Sequence, residues 1–114
     1  LKTKARNKIM RLIEEQMWIA IECQDRVWSK DNTGVEYRAN YDESLIYLHG
    51  HHIATYDHET EHARANVTTL RKWPTRTTMS RLRALGVDVC TRKGIVFLDG
   101  LPLEWCIGGE LVHV

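Results

Sequence analysis

The stretch Arg71-Lys-Trp-Pro-Thr-Arg-Thr-Thr-Met-Ser-Arg-Leu-Arg-Ala-Leu-Gly86 is the most basic part of the chain, and it divides a strand-rich middle from a hairpin-rich end. Pro74 disfavours helical backbone at Trp73, so the chain turns there. Thr75, Thr77 and Thr78 each carry a hydroxyl suited to capping a helix start. The spacing of Met79, Leu82 and Leu85 then predicts a short helix over residues 78–85 with a narrow apolar edge. Gly86 suits the left-handed residue that ends such a helix. Arg81 and Arg83 are expected to face away from the apolar edge.

Upstream, residues 5–29 read as one long amphipathic helix. At about 100° per residue, Ile9, Leu12, Ile13, Ala20, Cys23 and Val27 centre on one face. Arg11, Glu14, Glu15, Glu22, Asp25 and Arg26 take the opposite face, with Arg11–Glu15 and Glu22–Arg26 at helical i,i+4 spacing. Trp18 falls in the middle of that polar stripe, where another part of the fold covers it or a partner meets it. Asp31-Asn-Thr-Gly34 is expected to stop the helix, with Gly34 as a left-handed residue.

A meander follows. Residues 35–41 alternate apolar and polar, residues 45–49 and 52–56 flank a tight turn at Gly50-His51, and residues 63–70 read as a further strand. Beyond the basic stretch, residues 87–90 and 95–98 form a hairpin around Thr91-Arg-Lys-Gly94. Residues 103–107 and 110–114 flank Gly108-Gly109, a two-residue hairpin signal. The expected architecture is a single α+β domain over residues 1–114: a long N-terminal amphipathic helix, an antiparallel β-meander, a short second helix and C-terminal β-hairpins.

Composition bounds the function classes. At 114 residues, 43% hydrophobic and 27% charged, the chain has the material for one packed core, and disorder and coiled coil are disfavoured. No apolar run reaches the roughly 18 residues a membrane span needs, and Leu1 followed by lysines does not read as a signal peptide. Cys23, Cys90 and Cys106 are odd in number and widely spaced, so reduced thiols and a cytoplasmic setting are expected. The net charge of +1 conceals segregation: residues 14–63 hold eleven acids against three bases, and residues 64–93 hold eight bases against one acid. Such a chain presents opposed charged faces or neutralises them internally.

No nucleophile elbow, phosphate-binding glycine loop or dinucleotide fingerprint is present. Five histidines, His49, His51, His52, His58 and His62, lie within fourteen residues, yet without the cysteines or helical spacing of a metal site. No cofactor and no metal are therefore expected, and a histidine-based metal-binding protein is kept as a third reading. The basic segment offers the clearest contact surface. Arg71, Lys72, Trp73, Arg76, Arg81, Arg83, Arg92 and Lys93 supply cations, an aromatic ring and a helix start, the residue types that phosphate and unpaired bases require. A winged-helix reading fails, because strands and Pro74 stand where the scaffold helix belongs.

One resemblance rests on Leu48-x-Gly50-x-x-Ile53-Ala54, on Trp73-x-Thr75-x-Thr77-Thr78-x-x-Arg81-Leu82 and on the hairpin around Gly94. Over residues 45–98 the chain resembles small accessory proteins of tailed bacteriophages. The resemblance implies a phage-encoded protein in the host cytoplasm that binds a host or phage macromolecule, for example a CRISPR or restriction effector. It brings no catalytic residue and no cofactor. The leading expectation is thus a non-enzymatic binding protein that modulates or inhibits a host protein machine, with Trp18 and the basic residues as contacts. The alternative is a nucleic-acid-binding regulator using residues 71–93. A homodimer is expected to form through an edge strand at residues 110–114.

Overall fold

The structure, a computed structural model, describes residues 10–106. Helix α1 (Leu12–Glu22) leads into strands β1 (Trp28–Lys30), β2 (Thr33–Arg38), β3 (Glu43–Leu48), β4 (His51–Asp57) and β5 (His62–Ala65). Helices α2 (Val67–Lys72) and α3 (Arg76–Ala84) follow, then β6 (Val89–Arg92), β7 (Ile95–Leu98), β8 (Leu101–Pro102) and a 3-10 turn at Leu103–Trp105. The first five strands pair in chain order as one antiparallel sheet, and the last three form a second. This is the α+β architecture that the sequence predicts.

The tight turns account for the meander. His49-Gly50, Lys93-Gly94 and Asp99-Gly100 each place two successive residues at positive φ, the geometry whose twist suits an antiparallel pair. The core forms where α1 and α3 cover the strands: Met17, Trp18 and Ile21 of α1 pack with Val35, Ile46, Leu48, Ala54, Tyr56, Leu70 and Leu82. Along β2, Thr33 and Val35 are buried while Glu36 is exposed, the alternation of a strand with one covered face.

Four expectations are corrected or bounded. First, the helix predicted over residues 5–29 is shorter at both ends: Arg11 is extended and caps it ahead of Leu12, and α1 stops at Glu22. Gln24 takes φ 55°, and its amide bonds Ile21 O while the Asp25 amide bonds Ala20 O, a left-handed stop that frees residues 28–30 to become β1. Gly34 lies inside β2, not in a helix stop.

Second, the strand expected over residues 63–70 breaks after Ala65. β4 carries a bulge at Ile53, whose carbonyl accepts the Asn66 amide at 2.8 Å, and the Asn66 side chain accepts from Thr69 N at 3.2 Å. Asn66 is thereby the cap of α2, and the β-branched run Val67-Thr-Thr goes helical so that Leu70 can be buried. Third, the predicted helix at residues 78–85 begins two residues earlier: Thr75 caps α3, accepting from Thr78 N at 3.1 Å. Fourth, Leu103–Trp105 is a 3-10 turn where a strand is predicted. The Gly108-Gly109 hairpin, the edge strand at 110–114 that motivates a homodimer, and the first turn of the predicted N-terminal helix lie outside the described residues.

Candidate binding surface at the hairpin end of the sheet

The nine residues singled out in the sequence separate into three groups. Trp18 and Arg81 are inside. Trp18 is 4% exposed, donates Nε1–H to Ala84 O at 2.7 Å and meets Tyr56 edge-on at 5.4 Å, so Trp18 and Glu14 of the polar-looking stripe are the residues buried, while Leu12, Cys23 and Val27 of the predicted apolar face are exposed. Arg81 does not face solvent. Its guanidinium donates to Glu14 Oε2 at 2.8 Å, Thr33 Oγ1 at 3.0 Å and Asn32 Oδ1 at 3.3 Å, while Ser80 donates to the same Glu14 oxygen at 2.6 Å. Side-chain exposures of 4% on both Arg81 and Glu14 make this a buried ion pair, with its hydrogen bonds joining α1, the β1–β2 turn and α3.

The second group is held by backbone carbonyls or, for Arg92, by an aromatic ring. Arg71 Nη2 donates to Leu103 O at 3.2 Å, to Glu104 O and to Cys106 O, holding the 3-10 turn against α2. Arg83 Nε donates to Val89 O at 2.9 Å, and the Arg92 guanidinium lies 5.2 Å from the Phe97 ring centroid.

Lys72, Trp73, Arg76 and Lys93 form the outward group. Lys93 sits at the tip of the β6–β7 turn. Trp73 is 40% exposed and stacks on His51, with ring centroids 3.9 Å apart and planes 22° apart, and Lys72 Nζ lies 5.7 Å from its ring. His51, His49, Ile53, Thr69, Trp73, Thr75 and Thr77 line a cleft of about 330 Å³. On the other side of the His49-Gly50 turn a larger groove of about 860 Å³ runs along β1 and β2, walled by Val27, Trp28, Gly34 and Tyr47, with Asp31 and Glu36 among its lining. His49 lines both hollows.

Gly34 explains the groove. It faces Ser29 on β1 and Tyr47 on β3 across the pairing register. A Cβ there would meet its nearest atoms at 3.5 Å or more, ordinary contact, and its φ is not positive. Neither packing nor backbone geometry requires glycine; its effect is to leave the sheet surface hollow between Ser29 and Tyr47. The groove was not signalled in the sequence, because nothing there separates a glycine that leaves a hollow from one that ends a helix.

The histidines do not converge. His52 packs on Tyr47, with Nε2 2.9 Å from Thr55 Oγ1 and Nδ1 3.3 Å from the Asn66 amide. Because Asn66 Oδ1 accepts from Thr69 N, its NH₂ donates to His52 Nδ1, and Nε2–H donates to Thr55. His58 is on the opposite face, Nε2 2.8 Å from Ser44 Oγ and edge-on to both Tyr37 and Tyr56. Burial lowers the His58 pKa, with Asp42 and Asp57 partly opposing. Ser44 itself is fully buried, so this serine–histidine contact is closed to substrate. Nearby, the Tyr37 hydroxyl donates to Asp42 Oδ1 at 2.8 Å, and that bond raises the phenol pKa. Burial, followed by the charge of Glu36, does the same to Tyr47. Among the described residues no three His, Cys, Asp or Glu side chains gather as metal ligands, and no helix is long and apolar enough to cross a membrane.

Residues 10–112 match a family model described as Kyanoviridae Gp96 protein. No curated protein and no solved structure matches the chain.

Proposed function

The chain belongs to the Kyanoviridae Gp96 protein family, a tailed-phage family, and from that premise we propose that it is a non-enzymatic binding protein that modulates a host protein machine, such as a defence effector. The observation that carries this reading is the groove along β1. β1 is a three-residue edge strand, its neighbour β2 opens a hollow at Gly34, and Val27 beside it is 76% exposed. An edge strand offers unpaired backbone groups, and an adjacent apolar hollow takes alternate side chains of an added strand. The partner segment that fits is an extended piece of a host protein with apolar residues for the hollow and a base to meet Asp31 or Glu36.

The polar groups that would suggest chemistry support the same reading. Glu14, Arg81, Ser44 and His58 are spent on one another inside the fold. To test the proposal, tagged protein is expressed in the phage's host during infection and its partners are recovered. A host protein held by the wild type and lost with both Gly34→Ala and Val27→Asp is the expected result. Recovery unaffected by either variant, with both folded, would refute the groove as the contact.

A further inference from the structure

We infer that the cleft between the β3–β4 turn and the α2–α3 junction is a contact site for single-stranded nucleic acid, taking one unpaired base against the Trp73–His51 stack with the adjoining phosphates on Lys72 and Arg76. This goes beyond the protein contact proposed for the groove and stands on separate residues.

Trp73 directly precedes Pro74 and is the C-cap of α2, so the turn holds its ring at the surface, where a tryptophan ordinarily loses the benefit of burial. Its neighbour is a histidine ring at 3.9 Å and 22°, a nearly parallel stack of flat groups at the wall of a hollow. Flat π-faces at the edge of a base-sized cleft are what sequence-tolerant recognition of unpaired bases uses, and every base has a face to offer. The cleft's volume of about 330 Å³ is at the small end of ligand sites, enough for one base rather than a stack.

Charge points the same way. No acidic residue occurs between Glu61 and Asp88, and the cleft lining carries hydroxyls and imidazoles but no carboxylate. Arg71, Arg81 and Arg83 are taken up by the fold, as their hydrogen bonds show. Among the described residues Lys72 meets only the Trp73 ring and Arg76 has no partner; both are exposed, and they flank Trp73, Thr75 and Thr77 of the cleft lining, so these are the two cations of α2 and α3 left free there. An acidic peptide would use the cations but has no need of the ring pair; a duplex would offer phosphates but keep its bases stacked on one another.

The experiment uses the full chain and fluorescein-labelled oligo(dT) of about 12 nucleotides, followed by fluorescence anisotropy at about 50 mM and about 200 mM salt. Oligo(U), a duplex of the same length and polyglutamate serve as competitors. The inference expects oligo(dT) or oligo(U) to bind, more weakly at the higher salt. Trp73→Ala should weaken binding about tenfold or more. Trp73→Phe, which keeps a flat ring, should retain most of the affinity, and Lys72→Glu with Arg76→Glu should weaken it and flatten the salt dependence. Gly34→Ala should leave it unchanged, which separates this site from the groove. Absence of binding at the lower salt would overturn the inference. So would affinity unmoved by Trp73→Ala in a protein that still melts like the wild type, or competition by duplex or polyglutamate as effective as by oligo(U).

Discussion

Arg76 and Arg81 belong to one nine-residue helix and do opposite things. Arg81, one turn further along, is drawn 3% exposed into the core by Glu14, Thr33 and Asn32. Arg76, in the first turn, is exposed and stands three residues after the 40% exposed Trp73. The difference teaches that a basic run in sequence is not a surface. Of the cations between residues 71 and 93, the fold consumes those that can reach a carboxylate or free carbonyls. Lys72 and Arg76 beside the α2–α3 junction, and Lys93 at the β6–β7 turn, are left over.

The comparison breaks most visibly if Arg81 is removed. Arg81→Ala leaves Glu14 charged and buried, so a loss of about 3–5 kcal/mol of stability is expected in urea unfolding. By contrast, Lys72→Glu with Arg76→Glu should shift stability by less than about 0.5 kcal/mol, as exposed charges do. Asn66→Ala falls between. It removes the α2 cap and the donor to His52 Nδ1, and about 1–2 kcal/mol should be lost in the same assay. The smallest effect concerns pH. Burial lowers the folded-state pKa of His58, so folding favours the neutral ring. That contribution is intact above the unfolded value of about 6.5 and is lost as pH falls through the folded value. Between about pH 7.5 and pH 5.5, His58→Asn should therefore lose less of its own stability than the wild type does.

How far these contrasts were legible differs element by element. The turns at His49-Gly50 and Lys93-Gly94 and the stop at Gly86 carry local chemistry and read within a residue or two; the alternation locates β2 but overruns its end at Arg38 by three residues, where the chain turns. The end of α1 did not, because Gln24, not glycine, takes the left-handed conformation there. α2 was hidden because Val67-Thr-Thr favours strand by propensity, and only the bulge at Ile53 and the burial of Leu70 reverse it. The choice between cover and partner at Trp18 stayed open in the sequence because α1 meets both the sheet and α3, which a single-helix projection does not reveal. For the same reason Glu14 and Arg81, separated by most of the chain, gave no sign of pairing. At the candidate surface, Lys72, Trp73 and Arg76 were identifiable from residue type, whereas His51 and Gly34 acquire meaning only from the pairing register that puts them at a hollow.

Both proposed contacts meet at His49, which lines the groove and the cleft alike, while Thr60 lies in the β4–β5 turn beyond the far end of β4. The most direct measurement is therefore photo-crosslinking in the infected host, with a photoreactive amino acid placed at position 49 or at position 60. The account predicts covalent adducts with a host protein or nucleic acid from position 49 and none from position 60. Adducts confined to position 60, or none from position 49 in a correctly folded protein, would contradict it.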